Sequence, residues 1–97
     1  MMPQYLIIAK DGNDEQALQR RMDVRPFHLK GAKKLKEDGH FIIGGATLDD
    51  NGNMNGSIMI VEFDNEQQLQ DWMDIEPYIK DGVWKDIEVK PFRVAQV

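Results

Sequence analysis

His28 is the residue whose placement most invites chemistry. On a helical wheel of residues 26–38, Lys30, Lys33, Lys34 and Glu37 share one side. Leu29, Gly31, Ala32 and Leu35 lie around the other, with His28 at the centre of that apolar arc. Gly31 and Ala32 are small and leave space beside the ring. A buried imidazole without hydrogen-bond partners costs about 1–3 kcal/mol, so this one needs a partner. A carboxylate partner would hold one tautomer and suit the ring to general acid–base work. A structural histidine bonded to a backbone carbonyl is the competing reading.

Three carboxylates are candidates for that partner. Glu62 shares a strand face with Ile58 and Ile60, which points it inward, or else it is an end-of-strand charge turned to water. Asp74 falls in the last turn of a helix, where a carboxylate opposes the helix dipole, and reads as a solvated charge. Glu76 precedes Pro77, which forces it out of the helix into extended backbone. A carboxylate held in a rigid turn is readily aimed at a site, although a polar turn residue is the plainer account.

Around this pair, Arg25 stands just ahead of the predicted helix start, as an anion contact or a surface charge. Gly44 and Gly45 interrupt a strand, where glycine marks a bulge or a close approach. Their backbone N–H groups are candidates to hold a ligand oxygen, with packing against Trp72 as the alternative. Ser57 opens a strand and could bond into a cleft. Tyr78 and Trp84 are pocket walls or core.

The elements that must position these residues follow from periodicity. Residues 4–9 read as a strand ending in the turn at 10–13. Asn13 with Gln16 resembles a capping pair for a helix carrying Ala17, Leu18 and Met22. Pro26 predicts a break at Arg25 and a second helical segment from Pro26 to Asp38, stopped by Gly39. Residues 40–48 and 57–63 form a hairpin across the polar loop 49–56. Asp64, with Gln67 three residues on, predicts a cap for a helix burying Leu69, Trp72 and Met73. An irregular connection holds Pro77 and Gly82, and residues 85–94 make a last strand whose Pro91 places it at a sheet edge. The order is β-α-β-β-α-β, an α+β, ferredoxin-like fold with a four-stranded antiparallel sheet, in one domain over 1–97.

Both faces of the first and third strands are apolar: Tyr5, Ile7 and Ala9 alternate with Leu6 and Ile8, and Ile58 and Ile60 with Met59, Val61 and Phe63. Two helices cover one face only, and a wet face would show polar alternation. The expectation is a two-fold homodimer packed through the open sheet face.

Composition removes several function classes. The 97 residues carry a net charge of −5, which argues against nucleic acid and anionic membranes as partners. There is no cysteine, hence no disulfide, thiolate nucleophile or Cys-ligated metal. No secretory signal or membrane span is evident, and the cytoplasm is the expected location. Asp49, Asn51 and Asn53 suggest a calcium loop, but Met54 stands where glycine is required and Ile60 where the closing glutamate belongs. His28 and His40 make a poor zinc set, and no phosphate-binding glycine loop occurs. No metal or cofactor is expected.

The stretches "RPFHLKGAKKLKEDG", "IIGGATLDDNG", "NGSIMIVEF", "EPYIKDGVW" and "VKPFRV" resemble, in that order and nearly end to end, the YciI-like (YCII-related domain) family. The resemblance implies a ferredoxin-like dimeric α+β barrel with a His–Asp pair in a cleft. Carried over, His28 fills the histidine position and Glu76 the acidic one, where the family's usual Asp-Pro-Tyr reads Glu-Pro-Tyr. It also implies isomerase- or dehydrochlorinase-like reactions on small cyclic compounds. The reading is a cofactor-independent enzyme with His28 as acid or base, Glu76 orienting it, and Arg25, Gly44, Gly45, Ser57 and Tyr78 at the substrate. The alternative is a non-catalytic dimer that binds a small ligand.

Overall fold

The computed structural model describes residues 2–97. Its elements are β1 (Gln4–Asp11), α1 (Ala17–Glu37), β2 (Phe41–Leu48), β3 (Met54–Glu62), α2 (Glu66–Ile75), α3 (Pro77–Lys80) and β4 (Trp84–Phe92). The strands form one antiparallel sheet in the order β2-β3-β1-β4. The two central strands come from opposite halves of the chain, as the ferredoxin-like pattern requires. Pro91 lies on the edge strand β4, where its missing N–H breaks no ladder with a further strand.

Side-chain alternation sorts the sheet into two faces. Tyr5, Ile7, Ala9, Met59, Val61 and Phe63 are buried and, with Leu35, Leu69, Trp72, Tyr78, Val83 and Trp84, make the core under the helices. The opposite face carries Leu6, Ile8, Ile43, Ile58 and Ile60, which share a side through the pairs Leu6–Ile60, Ile8–Ile58 and Ile43–Ile60. Among the described residues no helix covers it, and Ile43 is 62% exposed. Glu62 lies on this face too, beside Gln4, whose side-chain amide donates to it at 3.1 Å. It is therefore directed away from His28, contrary to the inward expectation: the pleat that carries Met59 and Val61 to the core carries Glu62 outward.

The helix boundaries correct three expectations. Pro26 does not break α1, which runs uninterrupted for 21 residues. Proline removes the N–H that would bond the Met22 carbonyl, but Pro26 and Met22 are both exposed, so water can take that carbonyl. Asn13 caps nothing; Gln16 is the N-cap without a side-chain bond, and Asp14 accepts from the Gln16 N–H instead. At α2 the N-cap is Asn65, whose side chain accepts from Gln68 N–H at 3.0 Å, while Asp64 exchanges hydrogen bonds with the Gln68 side chain. The hairpin loop is also shorter than expected, since β3 begins at Met54.

Candidate active site: a histidine–glutamate pair beside a cleft

Continuity of α1 decides what lines the site. Ala17, Arg21, His28 and Leu35 are its buried residues, with Val24 packed against the core. These positions recur every three or four residues, so Arg21, Arg25 and His28 stand on neighbouring turns of one face. His28 is nearly enclosed. Its Nδ1 lies 2.5 Å from Glu76 Oε1.

The local sequence explains why Glu76 reaches it. Glu76 ends α2, with its N–H bonded to the Trp72 carbonyl, and starts α3, with its carboxylate accepting the Tyr78 N–H at 3.1 Å. Pro77 at the first position of α3 holds Glu76 extended (φ −64°, ψ 120°). The stretch between Pro77 and Gly82, expected to be irregular, is thus a helical turn that positions the carboxylate. Glu76 is only 2% exposed, and two donors to one oxygen compensate its charge.

Tyr78 supports the imidazole from beside it. Their rings stack with centroids 3.9 Å apart and planes 11° from parallel, and the Trp84 ring meets His28 edge-on at 6.0 Å. The ring therefore has a carboxylate at one nitrogen and aromatic walls around it. With Nδ1–H donated to Glu76, Nε2 is the atom left to take or return a proton.

A cleft of about 110 Å³ adjoins the pair, between α1 and the β2–β3 side of the sheet. His28, Arg25, Gly44, Gly45, Ser57 and Tyr78 all line it, so the structure gathers every residue singled out for substrate contact. Glu76 does not line this cleft; it lines a larger groove between α1 and α2, of about 380 Å³. The pair thus lies between two hollows, with the imidazole toward one and the carboxylate toward the other. Small residues open the cleft: Ala32 on α1, and Gly44 and Ala46 on the helix-facing side of β2. A Cβ on Gly44 would meet Met59 and the Phe41 ring at 3.1 Å, so those side chains, not Trp72, account for that glycine.

A second buried polar cluster escaped the sequence reading. Arg21 donates from Nη1 to both Asp11 oxygens at 3.1 Å and from Nη2 to Ser57 Oγ at 2.9 Å. Trp84 Nε1 donates to the same Ser57 oxygen at 3.2 Å. The Arg21 guanidinium carbon sits 4.7 Å from the Tyr78 ring centroid. Burial pushes the Tyr78 hydroxyl's pKa up, against the nearby Arg21 and Arg25 charges, which act to lower it. Asp11 was recoverable by extending the β1 alternation 5, 7, 9 one step, and Arg21 by extending the helical face back two turns from His28.

The other candidates lie elsewhere. Asp74 is exposed on α2. His40 stacks on Phe63, and its Nδ1 lies 2.7 Å from the Glu62 carbonyl. Among the described residues no three His, Cys, Asp or Glu side chains are grouped to hold a metal ion, and no helix is long and apolar enough to cross a membrane.

A split β-α-β sheet with a buried imidazole–carboxylate contact at a cleft defines a ferredoxin-like domain with a candidate polar site. The YCII-related domain model matches residues 3–93, and the chain belongs to that family. Protein YciI of Escherichia coli O6:H1 is 35% identical over 95 residues, covering 92% of this chain and 95% of that protein. The 5-chloro-2-hydroxyhydroquinone dehydrochlorinase TftG of Burkholderia phenoliruptrix AC1100, solved with 2,5-dihydroxybenzoquinone, superposes with a TM-score of 0.80 at 27% identity, over 95% of each chain. A dimeric ferredoxin-like protein from an uncultured marine organism shares the fold alone, with a TM-score of 0.58 at 16% identity over 100% of this chain and 92% of that one.

Proposed function

We propose that this protein is a cofactor-independent acid–base enzyme acting on a small organic molecule in the cleft beside His28. The observation that carries this reading is the 2.5 Å contact between His28 Nδ1 and the buried Glu76 carboxylate. Glu76 orients the ring and stabilises the imidazolium formed when Nε2 takes a proton. Arg25, Ser57, Tyr78 and the Gly44–Gly45 backbone contact the substrate. Two outcomes suit this equipment. A proton removed next to a carbonyl and returned to a different atom gives isomerisation. Alternatively, on the keto tautomer of a halogenated hydroxyquinol, whose C–X carbon is sp3, a ring O–H gives its proton to His28, the O–H electron pair becomes a C=O bond, the shifted ring C=C pair expels halide with the C–X pair to leave a quinone, and His28 keeps the proton until water takes it. The likeness to TftG favours the second, and a second copy of the chain on the bare sheet face completes the particle.

The test is chloride release from 5-chloro-2-hydroxyhydroquinone, together with deuterium uptake from D2O into small cyclic carbonyl compounds. Wild type is expected to show one or the other. His28→Gln is expected to lose it by about 10²–10⁴-fold, the usual weight of a general acid–base group. Equal rates in His28→Gln and wild type would refute the assignment.

A further inference from the structure

The polar groups lining the cleft are overwhelmingly donors, and several have nothing to donate to. The Tyr78 hydroxyl and Arg21 Nε are buried, and neither finds a hydrogen-bond partner in the protein. Both side chains line the cleft, and neither lines the α1–α2 groove. Ser57 Oγ accepts from Arg21 and from Trp84, which occupies both lone pairs and leaves its single proton to donate. Arg25 lines the same cleft and has no ion-pair partner among the described residues. No carboxylate side chain lines the cleft among those residues: Glu76 faces the other groove, and Asp11 is spent on Arg21.

Buried donors without acceptors are costly, and native proteins keep few of them. Two such atoms, with the free Ser57 proton and the half-buried Arg25 guanidinium beside them around one small hollow, make a site for an oxyanion, because fixed donors aimed where negative charge sits need no reorganisation when it arrives. We propose that Tyr78, Ser57, Arg21 Nε and Arg25 form an oxyanion subsite, so that the cleft selects small planar organic anions bearing an enolate, phenolate or carboxylate oxygen. This deepens the acid–base reading and rests on it for the direction of the reacting carbon, toward His28. It adds what that reading lacks, a reason for one substrate class over another. Arg21 is the fixed point of the subsite: Asp11 and Ser57 hold its two terminal nitrogens, and Nε is its nitrogen without a partner.

The test is calorimetric binding of 2,5-dihydroxybenzoquinone, whose acidic hydroxyls supply oxyanions, against 2,5-dimethoxybenzoquinone, which has none. Wild type is expected to bind the first at least about tenfold more tightly. Tyr78→Phe keeps the ring stacked on His28 and removes only the hydroxyl. It is expected to weaken binding of the hydroxyquinone about tenfold, as is Arg25→Gln, with little change for the dimethoxy compound. The melting temperature of ligand-free Tyr78→Phe should equal or exceed that of wild type, since the hydroxyl bonds nothing in the fold. His28→Gln should bind the hydroxyquinone within about threefold of wild type while losing turnover. Loss of turnover without loss of this preference upholds both readings. A preference for the hydroxyquinone in a protein that turns nothing over upholds the subsite and sinks only the enzyme. Equal binding of the two quinones, no binding of either, unchanged affinity in Tyr78→Phe and Arg25→Gln, or a Tyr78→Phe melting temperature lower by about 4 °C or more overturns the subsite.

Discussion

Replacing Glu76 by alanine removes two hydrogen bonds from one buried oxygen. The first caps α3 through the Tyr78 N–H, and loss of a helix cap costs about 1 kcal/mol. The second is the bond to His28 Nδ1, between side chains that are 11% and 2% exposed. Burial spares this contact most solvent screening, and a bond to a charged acceptor is worth about 1.5–3 kcal/mol. The sum is about 2.5–4 kcal/mol, a large share of the ~5–15 kcal/mol that holds a domain folded. Glu76→Gln keeps an acceptor in place but not its charge, and should cost only about 1 kcal/mol. Glu76→Asp withdraws the oxygen by one C–C bond of about 1.5 Å, which opens the 2.5 Å contact past hydrogen-bonding range while aspartate still caps α3. Its cost should fall between the other two, at about 2 kcal/mol. The assay is urea unfolding near neutral pH, with unchanged m-values as the check that only stability moved. Combining Glu76→Ala with His28→Ala should reveal a coupling of about 1.5–3 kcal/mol. Additive single-mutant costs would show that the two side chains do not hold each other, and the site as described would fail.

Two further outcomes are expected. Tyr78 titrates above its ordinary 10.0 in the folded protein, chiefly because it is buried. Above that pH the unfolded chain therefore sheds the phenolic proton first, and stability should fall as pH rises through the folded value. Tyr78→Phe should flatten this part of the urea-midpoint profile, and an unchanged slope would contradict the burial. Sedimentation should find a particle of twice the 11.2 kDa chain mass, and Ile58→Lys, at the centre of the bare sheet face, should return it to one chain. Wild type sedimenting as a single chain at micromolar concentration would refute the dimer.

The order of elements and the two-sided strands could be read from the sequence because period-2 alternation is strong in β1 and β3. Glu76 was legible for a related reason: Pro77 restricts the residue before it whatever the tertiary surroundings. Arg21 was hidden by a local rule applied without its context. Proline penalises a helix through one clash and one lost N–H, and both are tolerable where the affected turn faces water, as at Pro26. Splitting α1 there separated Arg21 from His28 and Arg25 and concealed that all three share a face. Asp11 was hidden in the same way, since a turn-forming Asp-Gly pair outweighed one more step of strand alternation. Glu62 was left open between two directions for another reason. With both strand faces apolar, alternation sorts residues into two sets without saying which set the helices cover.

The glutamate at position 76 is held from two sides. Its charge is compensated in place, by a backbone N–H of α3 on one side and an imidazole N–H on the other. The backbone donor belongs to the turn that Pro77 starts, so the carboxylate's direction is set before any long-range contact forms. The imidazole belongs to α1, whose position is set separately by Arg21, bound to Asp11 and Ser57 on the sheet. Two independent anchors thus meet at one oxygen. On the proposed function, changes at Glu76 should act through His28 on proton transfer and changes at Tyr78 or Arg25 on what enters the cleft, and kinetics should separate the first as kcat from the second as KM.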